Sequence, residues 1–234
     1  GHMSGGIMSK AGYEHNTNIG GGLKYYLENG YVPYPLPEGN FGSHEDGASQ
    51  TLEYAYQDWT LAQLAKKLHH EEDYNYFMKR AKNYQNVFDQ SIGWMRPKNA
   101  EGKWRENYDP YQYENGFIES NGAQSTWFVP HDILGLANLM GGKEKFVSML
   151  DAVFTMPPVF DNSYYGETIH EIREMQVANM GNYAHGNQPI QHMIYLYNYG
   201  GAPWKTQYWV REAMNRLYAA TPDGYCGDED NGQT

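Results

Sequence analysis

Residues 52–68 read LEYAYQDWTLAQLAKKL and carry two apolar stripes at helical spacing. The first stripe consists of Leu52, Ala55, Tyr56 and Trp59, and the second, two residues out of phase, of Leu61, Leu64, Ala65 and Leu68. The shift between the stripes widens the apolar face of the helix. The sequence therefore predicts a buried helix here.

The same spacing recurs in later segments of the chain and favours an all-α fold. The stripes are Phe77, Ala81, Tyr84 and Phe88; Ile133, Leu136, Ala137 and Met140; Phe146, Met149, Leu150 and Val153; and Val210, Ala213, Met214 and Leu217. Long segments rich in Gly, Pro, Asn, Asp and Tyr separate them, at 31–47, 93–117, 155–168 and 221–234. Long loops in a helical domain are more often functional than idle, so these segments are where we expect a site.

Composition narrows the function classes. The net charge of -11 argues against a nucleic-acid surface, which needs clustered Lys and Arg. The 22 tyrosines suit platforms that stack on sugars, and equally a tyrosine-rich core. Cys226 is the single cysteine, so no internal disulfide is possible. No apolar run approaches the roughly 20 residues of a membrane span, so we expect none.

The N-terminus lacks the charged and apolar regions of a signal peptide. Gly1-His2-Met3 has the look of a cloning scar, in which case an export signal can have been cut away. We therefore assign residues 1–10 to a scar or linker.

Three carboxylates stand in a row in Gly227-Asp228-Glu229-Asp230-Asn231-Gly232. A charge run is usually a solvated tail, and the alternative is that a metal ion or a reaction uses the charge. Four further motifs accompany it: GFIESNGAQ at 116–124, WFVPHD at 127–132, YAHGNQP at 183–189 and GAPWKTQ at 201–207. Together these motifs resemble glycoside hydrolase family 92, the calcium-dependent exo-α-mannosidases.

The resemblance implies an α/α toroid of the (α/α)6-barrel type. Family members have an N-terminal β-sandwich followed by a complete toroid. This chain would hold about half of the helix pairs, with residues 11–234 forming a partial catalytic domain. The sandwich and part of the barrel would be missing.

Inverting glycoside hydrolysis needs a protonated acid and a carboxylate that activates water, about 6.5–9.5 Å apart. The resemblance implies Glu119 as the general acid, Asp230 as the general base and Asp228 as a second carboxylate at the water. Taken alone, Glu119 is equally a glutamate favoured near a helix N-terminus.

Other residues match the family's sugar and metal positions. The resemblance implies that His170 and Glu171 grip the sugar beyond the scissile bond and mark α-1,2 specificity. It implies further substrate contacts from Asn121, Gln124 and His192. Calcium would be held by Asn187, Gln188 and Asp230, with Gln188 replacing a glutamate of many family members. An amide in place of that charge predicts a weaker, easily chelated ion.

The expected partners are α-mannosides, either mannan or high-mannose N-glycans, in the bacterial periplasm or outside the cell. The isolated chain is expected to be weakly active or inactive. Three alternatives stay open: a mannose-binding module without catalysis, a structural half-domain that self-associates or needs the missing N-terminal domain, and a toroid glycosidase for another sugar.

Overall fold

The computed structural model describes residues 22–37, 46–113, 116–157, 161, 163 and 166–227. These residues divide into two compact units. The first unit comprises the described residues of Gly1–Pro110 and Glu114–Gly122, and the second those of Tyr111–Tyr113 and Ala123–Thr234. The structure is mostly helical, as the apolar stripes predict.

The first unit contains three helices in its described part: α1 (Leu23–Asn29), α2 (Gly47–Lys67) and α3 (Glu71–Arg80). A 3-10 helix (Asn83–Val87) and a short antiparallel hairpin of β1 (Phe88–Asp89) and β2 (Trp94–Met95) follow. Helix α3 packs back along α2. The two helices thus form an α-hairpin, the repeating unit that a helical toroid requires.

Helix α2 confirms the predicted helix but corrects its predicted face. Leu52, Ala55 and Ala65 are buried as expected, whereas Leu64 and Leu68 are more than half exposed. The buried stripe continues through Asp58 and Ala62 instead. The prediction of a widened apolar face is therefore wrong at the C-terminal end, because a charged residue takes the core position.

Asp58 is buried because two partners neutralise and bind it. Arg80 of α3 lies 2.9 Å from one carboxylate oxygen and donates from Nε to the other at 3.0 Å. The hydroxyl of Tyr26 in α1 also donates to Asp58, at 2.7 Å. Burial and the adjacent Asp58 charge raise the pKa of Tyr26. This network ties α1, α2 and α3 together.

The segment after the hairpin is largely irregular, as predicted, but it is firmly held. Arg96 donates to Asp89 at 2.9 Å and also bonds the carbonyl of Arg105. Burial alone would raise the pKa of Asp89, but hydrogen bonds from Ser91 and Arg96 lower it. An isolated bridge joins Lys98 to Trp104. Side-chain and backbone contacts thus hold the chain in place between Asp89 and Arg105.

The second unit contains the remaining helices of the described chain. They are α5 (Ile133–Leu139), α6 (Lys143–Thr155), α7 (His170–Ala178), a 3-10 helix (Gln188–Tyr195), α8 (Leu196–Tyr199) and α9 (Pro203–Leu217). One short helix, α4 (Gly122–Ser125), lies where the chain passes from the first unit to the second. The unit's aromatic core includes Trp127, Phe146 and Phe154, all buried.

The predicted stripes of the second unit are mostly buried in α5 and α6, where only Ile133 and Met149 are half-buried, and less so in α9. Phe146, Leu150 and Val153 are fully buried, whereas Met214 is 61% exposed. Helix α9 instead contributes through a charged side chain: Arg216 donates to the carbonyls of Ala178 and Asn179 at 2.9 Å. These bonds satisfy the free carbonyls at the C-terminus of α7.

Among the described residues, none of the helices has both the length and the hydropathy that crossing a bilayer demands.

Candidate functional site

Glu119 lies in the first unit on a loop whose N-terminal side is anchored to α2. Ala48, at the start of α2, donates its N–H to the carbonyl of Gly116 at 3.1 Å, and Ser49 Oγ accepts from the N–H of Ile118 at the same distance. Gly116 has a φ of +98°, and a β-carbon there would meet Pro97 Cγ at 2.2 Å. Only glycine fits this approach.

The backbone at Glu119 is itself unusual. Its φ is +47°, in the left-handed region that a residue with a side chain adopts at a cost of roughly 1–2 kcal/mol. Its side chain is exposed, although Ser120 and Asn121 beside it are buried. Strain of this kind concentrates at functional sites, because the surrounding structure must hold it in place. The loop presents an exposed carboxyl group from a fixed backbone.

Asn121 and Gln124 are both buried. Gln124 Nε2 donates to the carbonyl of Asn182 at 3.0 Å, and it contacts Tyr113 Oη and Met175 Sδ, both at 3.1 Å. Gln124 therefore connects the α4 region to α7 in the interior of the second unit. Their predicted contacts with a substrate stay predictions.

His170 and Glu171 open helix α7 in the second unit and contact each other. His170 Nε2 lies 3.0 Å from Glu171 Oε1, with the imidazole half-exposed and the glutamate buried. Glu174, one turn further along, places its Oε1 3.8 Å from His170 Nδ1. The histidine ring therefore stands between two carboxylates, and the exposed part of the ring can meet a ligand from solvent.

Glu174 is a residue that the sequence reasoning missed. Its Oε1 accepts a hydrogen bond from the N–H of Gly227 at 2.8 Å, and its Oε2 lies against Gly186. The signal for it was its spacing, since Glu171 and Glu174 are three residues apart and share one face of a helix. Asp228 and Asp230, predicted as the carboxylates at the water, lie outside the described residues.

Asn187 and Gln188 directly follow Gly186 and begin the 3-10 helix of the second unit. Asn187 is buried and Gln188 is half-buried. The described residues contain no cluster of three His, Cys, Asp or Glu side chains that could hold a metal. The chemistry nevertheless fits a hard cation, because Asn187 and Gln188 offer amide oxygens and directly follow Gly186, which lies against Glu174 Oε2. That carboxylate oxygen is buried and accepts no hydrogen bond from the described chain.

The two histidines near this loop are held by the protein. His192 Nε2 donates to the carbonyl of Trp127 at 2.7 Å, and the ring meets Phe128 edge-on. His185 bonds the hydroxyls of Tyr183 and Tyr218 at 2.6 and 2.7 Å. Desolvation lowers the pKa of both imidazoles, so both are neutral at pH 7. The predicted sugar contact of His192 stays a prediction.

Comparisons with known proteins place this chain in a family of sugar-cleaving enzymes. Residues 6–234 match the glycosyl hydrolase family 92 catalytic domain. The chain belongs to glycoside hydrolase family 92, and its helical structure is consistent with part of the all-α toroid of that family.

Solved relatives are mannosidases. The family 92 α-mannosidase BT3965 from Bacteroides thetaiotaomicron, in complex with mannoimidazole, is 38% identical with a TM-score of 0.76, over 90% of this chain and 27% of that one. The inverting mannosidase BT2199 from the same species is 46% identical with a TM-score of 0.73, over 91% of this chain and 28% of that one.

A curated relative is an uncharacterised secreted glycosidase of Arthroderma benhamiae, 27% identical over 91% of this chain and 27% of its own length. The chain thus spans about a quarter of the length of the relatives that it matches.

Proposed function

We propose that the protein containing this chain is an inverting, calcium-dependent exo-α-1,2-mannosidase. The observation that carries the proposal is that His170 and Glu171 lie 3.0 Å apart at the start of α7. One turn later, Glu174 accepts a hydrogen bond from Gly227, the residue that precedes Asp228. Helix α7 would then bind the second sugar and also hold the residue that precedes Asp228. Residues 11–234 would form part of the catalytic toroid.

Glu119 would act as the general acid. Its exposed carboxyl group would protonate the glycosidic oxygen as the bond from that oxygen to the anomeric carbon breaks. Asp230 would take a proton from water as the water oxygen bonds the anomeric carbon from the opposite face, which inverts the configuration. Asp228 would be the second carboxylate at that water.

Calcium would be held by Asn187, Gln188 and Asp230. It would supply positive charge beside Asp228 and Asp230, two carboxylates that resist simultaneous ionisation at close range. His170 and Glu171 would bind hydroxyl groups of the sugar beyond the scissile bond, from a partly exposed imidazole and a carboxylate whose positions their mutual contact fixes. Asn121, Gln124 and His192 would complete or support the mannose pocket.

The natural substrates would be mannan or high-mannose N-glycans in the periplasm or outside the cell. The 234-residue chain by itself would have weak activity or none, because the relatives are about three times as long and would supply the rest of the pocket from other parts of their chains.

The test is mannose release from α-1,2-mannobiose by the full-length protein, with α-1,3-mannobiose as the matched control substrate. We expect faster cleavage of the α-1,2 linkage, β-mannose as the first product in NMR spectra, and loss of activity in EDTA that calcium restores. Binding of mannose without release would favour the mannose-binding alternative, and cleavage of other glycosides only would favour a different sugar.

A further inference from the structure

Glu174 joins three backbone segments of the second unit. Its Oε1 accepts the N–H of Gly227, which lies 53 residues further along the chain. A β-carbon built on Gly186 would stand 2.1 Å from Glu174 Oε2 and 2.8 Å from Gly227 Cα. Helix α7, the loop at Gly186 and the segment ending at Gly227 therefore converge on one carboxylate.

The convergence constrains both glycines. Gly186 has no space for a side chain, since Glu174 fills one side and the Gly227 backbone the other. Gly227 has a φ of +75°, a conformation that glycine adopts without strain. A substitution at Glu174, Gly186 or Gly227 would therefore disturb the other two residues.

The contact between Glu174 and Gly227 is not explained by stability alone. Glu174 Oε2 is buried without a hydrogen-bond donor among the described residues, and burying such an oxygen costs free energy. A glutamate that also binds a backbone N–H over 53 residues is the arrangement expected when the geometry of the bonded segment matters.

We propose that Glu174 is a positioning residue that holds Gly227, the residue before Asp228, by accepting a hydrogen bond from its N–H. The inference rests on the proposed function, which assigns Asp228 and Asp230 to the hydrolytic water. Asp228 follows Gly227 directly, so an error in the orientation of Gly227 is passed on to the carboxylates. Glu174 acts through Gly227 and does not itself touch the substrate.

The first test measures backbone order and needs no activity. NMR amide exchange at Gly227 is compared in the 234-residue chain and in three variants, Glu174→Ala, Glu174→Gln and Gln176→Ala. Loss of a hydrogen bond to a charged group should speed exchange in Glu174→Ala by at least about tenfold. Glu174→Gln keeps an oxygen acceptor and should exchange more slowly than Glu174→Ala, and the exposed Gln176 should have no effect.

Equal exchange at Gly227 in Glu174→Ala and the wild type would overturn the proposal. If Glu174→Ala does not fold, exchange at Gly227 is measured in Gly186→Ala instead, because the new β-carbon must displace Glu174 or Gly227. Faster exchange at Gly227 in Gly186→Ala supports the proposal, and unchanged exchange refutes it.

The second test uses the full-length protein on α-1,2-mannobiose. Glu174→Ala should lower kcat by up to about a hundredfold, the effect of a misplaced catalytic group, with KM within about twofold of the wild type. Glu174→Gln should recover most of kcat, which a purely electrostatic role for Glu174 would not allow. Wild-type kcat in Glu174→Ala would refute the proposal. If the wild-type protein releases no mannose, the proposed function fails, and the exchange of Gly227 still decides the role of Glu174.

Discussion

The two units bury their charged side chains in opposite ways. In the first unit, Asp58, Arg80 and Tyr26 form a network in which the ion pair is almost fully buried. In the second unit, His170 is 45% exposed between two carboxylates, and Glu174 Oε2 is left without a donor in the described chain. A buried pair of opposite charges holds helices together, whereas a partly exposed imidazole between carboxylates can contact a ligand from solvent. Substitutions should therefore affect stability in one case and activity in the other.

The largest effect is expected at Glu119, the exposed carboxyl group of the first unit. In the full-length protein, Glu119→Gln should lower kcat by about 10²–10⁴-fold because the proton donor is removed. Its melting temperature should stay unchanged, since the side chain is exposed. The measurement is mannose release with a parallel thermal melt. Retained activity would show that the acid is another residue.

The opposite result is expected at Arg80. Arg80→Ala strands the Asp58 carboxylate in the core and should lower the free energy of unfolding by about 3–5 kcal/mol. Urea denaturation of the 234-residue chain measures this. Arg211→Ala is the matched control, because Arg211 is an exposed arginine that bonds only within its own helix, and it should change stability by less than about 0.5 kcal/mol. Equal losses of stability in the two variants would contradict a stabilising role for the buried Asp58–Arg80 pair.

These expectations also show what the sequence could and could not predict. Helix α2 was predictable because the spacing of Leu52 and Ala55 is local information. The exposure of Leu64 and Leu68 was not, since the core position of Asp58 depends on Arg80, 22 residues away, and on Tyr26, 32 residues away. Pairing over such distances is set by tertiary packing, which periodicity does not encode.

The candidate site divides in the same way. The motif containing Glu119 and the motifs at 127–132, 183–189, 201–207 and 227–232 indicate the family without a structure, and the comparisons confirm that family. The left-handed backbone of Glu119 and the bond from Gly227 to Glu174 were out of reach of sequence reasoning. Glu174 looks like any other helical glutamate until the fold brings Gly186 and Gly227 against it.

A smaller and more selective effect is expected at His170. His170→Ala should lower kcat/KM for α-1,2-mannobiose by about 10–100-fold, the worth of a hydrogen bond to a charged group. For p-nitrophenyl α-mannoside, which lacks the second sugar, kcat/KM should change by less than about threefold. Equal losses of kcat/KM on both substrates would mean that His170 contributes to the cleavage step rather than to recognition of the second sugar. That result would contradict the contrast between the two units.

The smallest effect is a pH dependence of stability at His192. Desolvation lowers the pKa of His192, so the folded protein binds its proton less readily than the unfolded chain does. The free energy of unfolding should therefore be highest above the ordinary histidine pKa and should fall as the pH drops from about 7 to about 5.5, where most carboxylates stay ionised.

His192→Gln keeps a donor for the Trp127 carbonyl but cannot titrate, so its stability should fall less over this range. Urea denaturation at each pH gives the slopes. Because His185 is also desolvated and titrates in the same direction, the variant should retain part of the slope. An unchanged slope would show that His192 does not contribute.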